Sequence, residues 1–194
     1  VAHSIARLAS YLPSPKGGSP VKHAPELEPN IESVVVHIDV DGEAILLGSD
    51  LENHATLGWS AVVSDRWVSG RTPATAYKVA HHGSHTGDSQ AIWTTLLQAE
   101  PVTCMTPFIN GSVKLPSDSD RQRIRAATPH RFISSGASRR PNMDNAQLKR
   151  LNDICRNLAP INTGFGAVRM RKGVGQESWQ VQCFGNAQDR KSTR

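Results

Sequence analysis

Long apolar runs are absent from this chain: none approaches the roughly 20 residues that span a bilayer, and Ser4 to Leu12 is too short and too polar for a secretory signal core. A cytosolic setting, with no membrane segment, is the default expectation. Cysteine is scarce. Cys104, Cys155 and Cys183 are far apart and odd in number, which fits neither a disulfide framework nor a C-x-x-C metal knuckle, so buried free thiols are expected. Aromatic residues make up 5% of the chain and form no ladder on which single-stranded nucleic acid could stack. Trp59, Trp67, Trp93 and Trp179 are expected in core or rim packing. No internal repeat is present.

What is there suits one sizeable soluble domain: 194 residues, 38% hydrophobic and 20% charged. The formal charge of +5 would help an anionic partner such as nucleic acid approach. Much of that excess, however, sits in Arg139-Arg140 and in Arg190, Lys191 and Arg194. Arg169, Arg171 and Lys172 read as scattered surface charge. The first residue is Val1 rather than Met, so the sequence reads as a processed product or a piece of a longer protein.

Residues 1–29 form an N-terminal segment and a Pro-rich linker, whose composition disfavours helix and sheet ladder alike. Ile5, Leu8 and Leu12 place a short helix ahead of it. From Ser33 the pattern becomes strand-like, with Val34, Val36, Ile38 and Val40 on one face and His37, Asp39 and Asp41 on a solvated face. Asp41-Gly42 then predicts a hairpin into a second strand, Ala44 to Leu47. Leu57, Trp59, Val62 and Val63 predict a helix over Asn53 to Ser64, and Ala76 to Ala80 is the next strand. Ser89 is the expected N-cap of a helix carrying Ile92, Trp93, Leu96 and Leu97, which Pro101 stops. Val102 to Met105 reads as a strand, Pro116-Ser117 as the start of a charged helix with Ile124 inward, and Leu148, Leu151, Cys155 and Leu158 as a helical stripe. Strands Ala167 to Arg171 and Ser178 to Phe184 close the pattern, residues 188–194 read as a disordered tail, and the alternation predicts α/β layers.

Two of these strands end in groups that suit a metal. Ala44-Ile45-Leu46-Leu47-Gly48-Ser49-Asp50 delivers a carboxylate, and Tyr77-Lys78-Val79-Ala80-His81-His82-Gly83-Ser84 delivers two imidazoles. A metal site needs such donors on rigid elements, with glycine permitting close backbone approach. Asp50 has a second reading as a helix N-cap, and His81 and His82 as hydrogen-bonded loop residues. His85 and Asp88 read as exposed loop or capping residues.

The order of five segments resembles the C-terminal half of a metallo-β-lactamase-fold hydrolase, closest to the hydrolase domain of competence-related DNA-uptake proteins. The segments are Asn30 to Val35, Leu46-Leu47-Gly48-Ser49-Asp50-Leu51-Glu52, Lys78 to Ser84, Leu115-Pro116-Ser117 and Asn162 to Ala167. The resemblance implies an αββα sandwich of which residues 30–187 are the C-terminal half. It implies hydrolysis by a metal-bound hydroxide, with a phosphodiester or nucleic-acid substrate. Asp50 would bridge two ions, His81 or His82 would ligate one of them, with His81 favoured because it follows the strand directly, and Ser84 and Asn30 would contact substrate. Zn²⁺ is the expected ion and Mn²⁺ the alternative.

The chain also departs from the family. The principal motif His-x-His-x-Asp-His is absent, and His37-Ile38-Asp39-Val40-Asp41 reads as a strand rather than a substitute for it. Leu115 stands where relatives commonly place histidine, and Ser135 to Asn145 looks like an insertion. The missing ligands imply a complementary N-terminal half or a companion chain. The alternative is a non-catalytic half-domain or pseudoenzyme that acts as a protein-interaction module, its sheet face uncovered.

Overall fold

A computed structural model describes residues 29–66, 68–135, 144–154, 165–173 and 175–189. In chain order the strands are β1 (Val36–Val40), β2 (Glu43–Leu47), β3 (Ala74–Lys78), β4 (Leu97–Met105), β5 (Phe108–Asn110), β6 (Val113–Leu115), β7 (Arg131–Ile133), β8 (Gly166–Arg171), β9 (Gln180–Gly185) and β10 (Gln188–Asp189). The helices are α1 (Trp59–Ser64), α2 (Asp118–Ala127) and α3 (Asn145–Ile154). One six-stranded sheet runs β1-β2-β3-β4-β7-β10, and β5–β6 and β8–β9 are separate hairpins. β2, β3, β4 and β7 are parallel, while β1 and β10 pair antiparallel at the two ends. The chain is α/β as expected, with a mixed sheet and few helices.

The Asp41-Gly42 turn joins β1 to β2 as its sequence predicts: both residues have positive φ, and Asp39 accepts the Gly42 amide. Ala44 and Leu46 of β2 and Tyr77 of β3 point into the core. There they meet Leu51, Trp59, Ile92, Leu96, Met105 and Ile124. Trp59 donates its indole N–H to the Leu51 carbonyl, so its burial leaves no polar atom unpaired. Helix α2 starts where expected: Ser117 and Asp120 form a capping box, and Ile124 is its buried inner residue.

The opposite face is less covered. β8–β9 reaches it through Trp179, which donates to Thr75, and Lys172, which bonds Glu43. Val36, Ile38, Val40 and Leu47 remain 42%, 39%, 61% and 36% exposed, an apolar surface that an isolated domain would ordinarily bury.

Several expectations are corrected. β1 alternates as read, with Asp39 and Asp41 solvated as expected, but Val36, Ile38 and Val40 are open as well, and His37 is half-buried and bonds the Thr72 carbonyl. Helix α1 begins at Trp59 rather than Asn53, because Asn53 bridges Gly58 and donates its amide to Thr86. The helix expected after Ser89 is one π-helical turn, Ile92–Leu96, and the chain is already in β4 before Pro101. Pro101 has no N–H for a ladder, and the register slips there, with Leu97 opposite Ala74 and Val102 opposite Ala76. Gln188 and Asp189, expected in a disordered tail, pair with β7. Cys183 is exposed and Cys104 half-buried rather than both buried. Trp59, Trp93 and Trp179 pack as expected. Trp67, Cys155, Leu158, residues 1–28 and most of the Ser135 to Asn145 segment lie outside the described residues.

Candidate functional site

The parallel strands β2, β3 and β4 end at the same edge of the sheet, the usual place for a site in such folds. There the chain turns three times, at Gly48-Ser49-Asp50, at His81-His82-Gly83 and at Thr106 to Phe108. Backbone bonds lace the first two turns together: the Gly48 amide donates to the Lys78 carbonyl at 3.0 Å, and the His81 amide to the Ser49 carbonyl at 2.9 Å. Gly48 is required here, because a Cβ would lie 2.8 Å from Ala80 Cβ and 2.9 Å from the Ala80 nitrogen. The Ala80 amide in turn donates to the Tyr77 hydroxyl. Burial pushes that phenol well above its ordinary pKa, so it stays neutral.

His81, His82 and Gly83 follow one another with φ of 42°, 54° and 84°. Left-handed backbone is uncommon outside glycine and costs on the order of 1 to 3 kcal/mol per residue. The surroundings hold it in place. The Gly83 and Ser84 amides bond the Ala80 and His81 carbonyls at 2.8 Å each. The strained turn aims two imidazoles at the sheet edge, their ring centres 6.2 Å apart.

Each ring is fixed through Nδ1. His82 Nδ1 lies 2.9 Å from the Thr106 carbonyl, which can only accept, so this nitrogen donates, and in the neutral ring Nε2 is the one with a lone pair. His82 Nε2 lies 3.6 Å from Asp50 Oδ1, and Phe108 stacks on the same ring at 4.9 Å. His81 Nδ1 lies 2.7 Å from Glu52 Oε1 and 3.0 Å from Thr86 Oγ1, which itself donates to Glu52 at 3.1 Å. A carboxylate behind one ring nitrogen frees the other to bind a metal.

Asp50 is half-exposed and caps no helix, since α1 starts at Trp59 with Gly58 at its N-cap. Lys78 lies close enough for Asp50 to act on it. Burial depresses the Lys78 ammonium, and the Cys104 thiol and Asp50 carboxylate oppose that shift.

The other expected site residues are less open. Ser84 is 6% exposed and uses its hydroxyl within the turn, accepting the Thr86 amide. Asn30 enters through its backbone: its carbonyl accepts the amides of Ser33 and Glu52 at 3.3 and 3.2 Å. Asp88, expected as an exposed loop or capping residue, is the C-terminal cap of the turn His85–Gly87, and its side chain is only 10% exposed. It takes the Trp93 indole N–H at 2.8 Å and pairs with Arg123. His85 is exposed as expected.

Sequence reasoning assigned no role to Glu52, Thr86 or Arg123. Glu52 was the findable one, two residues past Asp50 at the same strand end.

Two Nδ1-anchored imidazoles beside a carboxylate fit a metal by donor chemistry. Two ligands at about 2.1 Å in tetrahedral arrangement lie about 3.4 Å apart, close to the 3.6 Å between His82 Nε2 and Asp50 Oδ1. Among the described residues no cluster of three or more His, Cys, Asp or Glu is gathered tightly enough to hold an ion alone, and no helix is long and apolar enough to cross a membrane. No protein-family model, curated protein or solved structure matches the chain.

Proposed function

We propose that this chain supplies Asp50, His82 and His81 to the metal site of a hydrolase of the metallo-β-lactamase type. The carrying observation is the pair of imidazoles anchored through Nδ1, with His82 Nε2 turned to Asp50. His82, rather than His81, is the imidazole beside the carboxylate. In the complete domain a bound Zn²⁺ or Mn²⁺ would lower the pKa of water and polarise a substrate oxygen. Asp50 and His82 would hold that ion, Glu52 would orient His81, and the Thr106 carbonyl would orient His82. The strained turn sets these donors before any ligand arrives.

The donor set here is incomplete, and the apolar face of β1 and β2 supports a companion half that completes both the sandwich and the ligands. A phosphodiester, in nucleic acid or a nucleotide, is the proposed substrate class, supported by the family resemblance and the positive charge. The test is native mass spectrometry of the protein from its source, followed by hydrolysis of bis(p-nitrophenyl) phosphate by the recovered species. Bound metal and turnover, with turnover abolished in a folded Asp50→Ala variant, are expected. A metal-free species, or full turnover in that variant, would overturn the reading.

One observation favours a second reading, a protein-interaction module without chemistry: the same exposed face, Val36, Ile38, Val40 and Leu47. Recovery of a companion chain with neither metal nor turnover would select it.

A further inference from the structure

One cluster outside the metal donors ties the histidine turn to the rest of the molecule. Arg123, on α2, donates to the Gly83 carbonyl at 2.7 Å and to Asp120 Oδ1 at 3.3 Å, and it pairs with Asp88. Each carboxylate is itself held. The Trp93 indole bonds Asp88. Asp120 is 3% exposed and accepts the Ser117 amide and hydroxyl at 2.9 and 2.6 Å.

A surface arginine needs no such framework. This one meets three acceptors at once, which its planar fork can do and a lysine ammonium on a flexible stem cannot match. The acceptor that matters is the Gly83 carbonyl, because it closes the run of three left-handed residues. Gly83 is also wedged: a Cβ there would lie 3.2 Å from Ile124, 3.3 Å from Met105 and 3.3 Å from Pro116. The turn is therefore clamped on one side by the Arg123 guanidinium and packed on the other by the core.

We infer that Arg123 is a positioning residue of this site: through the Gly83 peptide it holds the left-handed turn that directs His82 toward Asp50. The inference rests on the metal reading for its consequence, but its structural content stands apart from it. Loss of the guanidinium leaves the Gly83–Ser84 peptide held by the Ser84 amide alone; the expected result is a looser turn in which His82 no longer keeps a fixed bond to Thr106 or a single tautomer.

The test compares the full chain with Arg123→Gln and Arg123→Lys. Imidazole ¹H–¹⁵N spectra of each chain report the His82 tautomer, zinc titration of each chain assembled with its companion half reports affinity, and circular dichroism reports the fold. Arg123→Gln is expected to stay folded, to populate both His82 tautomers, and to bind zinc about tenfold or more weaker, the usual effect of losing an outer support. Arg123→Lys should fall between. If Arg123→Gln unfolds, Arg123→Lys carries the test by the same two readouts. A folded variant with the wild-type tautomer and wild-type zinc affinity overturns the inference. Absence of zinc binding in the wild type would overturn the metal reading alone, and the tautomer comparison would still decide the role of Arg123.

Discussion

The sheet edge that carries Asp50 and the histidines differs sharply from the face formed by β1 and β2. At the edge, nearly every side chain has a partner: Glu52 with His81 and Thr86, Arg123 with Asp88 and Asp120, Tyr77 with the Ala80 amide. On the face, Val36, Ile38, Val40 and Leu47 stand open. Where the backbone is strained the chain is most densely bonded, and where it is regular strand the chain lacks cover. The turn that carries the histidines is fixed within this chain, while the apolar face of β1 and β2 stays exposed in it.

Substitutions that break this contrast should rank by how much packing they remove. Trp59→Ala, at a fully buried indole under Leu51, is expected to lower stability by about 3–5 kcal/mol, measured by urea denaturation. Gly48→Ala forces a Cβ against Ala80 and is expected to cost about 1–3 kcal/mol, with the loss visible in the same assay and in displaced His81 resonances.

Ser117→Ala removes a helix cap that also bonds Asp120, for an expected loss of about 1 kcal/mol. The same cap makes a pH prediction. Burial alone would raise the Asp120 carboxyl, but the hydrogen bonds from Ser117 and Arg123 outweigh it and hold the group below its usual range. A depressed folded pKa means the contribution is complete above the unfolded value of about 3.9 and is lost as pH falls through the folded value. Acid titration of the melting temperature should therefore flatten in Asp120→Asn relative to wild type. At the open face, Val40→Ser, at a residue 61% exposed, should change the stability of the isolated chain by less than about 0.5 kcal/mol while weakening capture of a companion half. A large loss of stability would show that the face is covered within this chain.

Local rules reached the elements more readily than the site's supports. Alternation and Asp41-Gly42 identified the β1–β2 hairpin, and Pro116-Ser117 identified the start of α2, because both signals lie within a few residues. The positions of Asp50, His81 and His82 at strand ends were legible for the same reason. The over-long helix at Asn53 was not, since the apolar spacing there is genuine and only the long-range bond from Asn53 to Thr86 decides against it. Arg123 bonds Gly83 across forty positions, and no periodicity encodes such a contact. The short strands β5, β7 and β10 have two or three residues each, too few to establish a period. The half-burial of His37 and the openness of Val36, Ile38 and Val40 were not legible, because alternation tells which residues share a face, and not which face is covered.

The most direct test is a zinc titration by isothermal calorimetry of the chain assembled with its companion half, comparing wild type with Asp50→Asn and His82→Ala. The account predicts zinc binding to the wild type and at least tenfold weaker binding to each folded variant. Equal affinity in all three, or no binding to the wild type, would contradict the assignment of Asp50 and His82 as ligands.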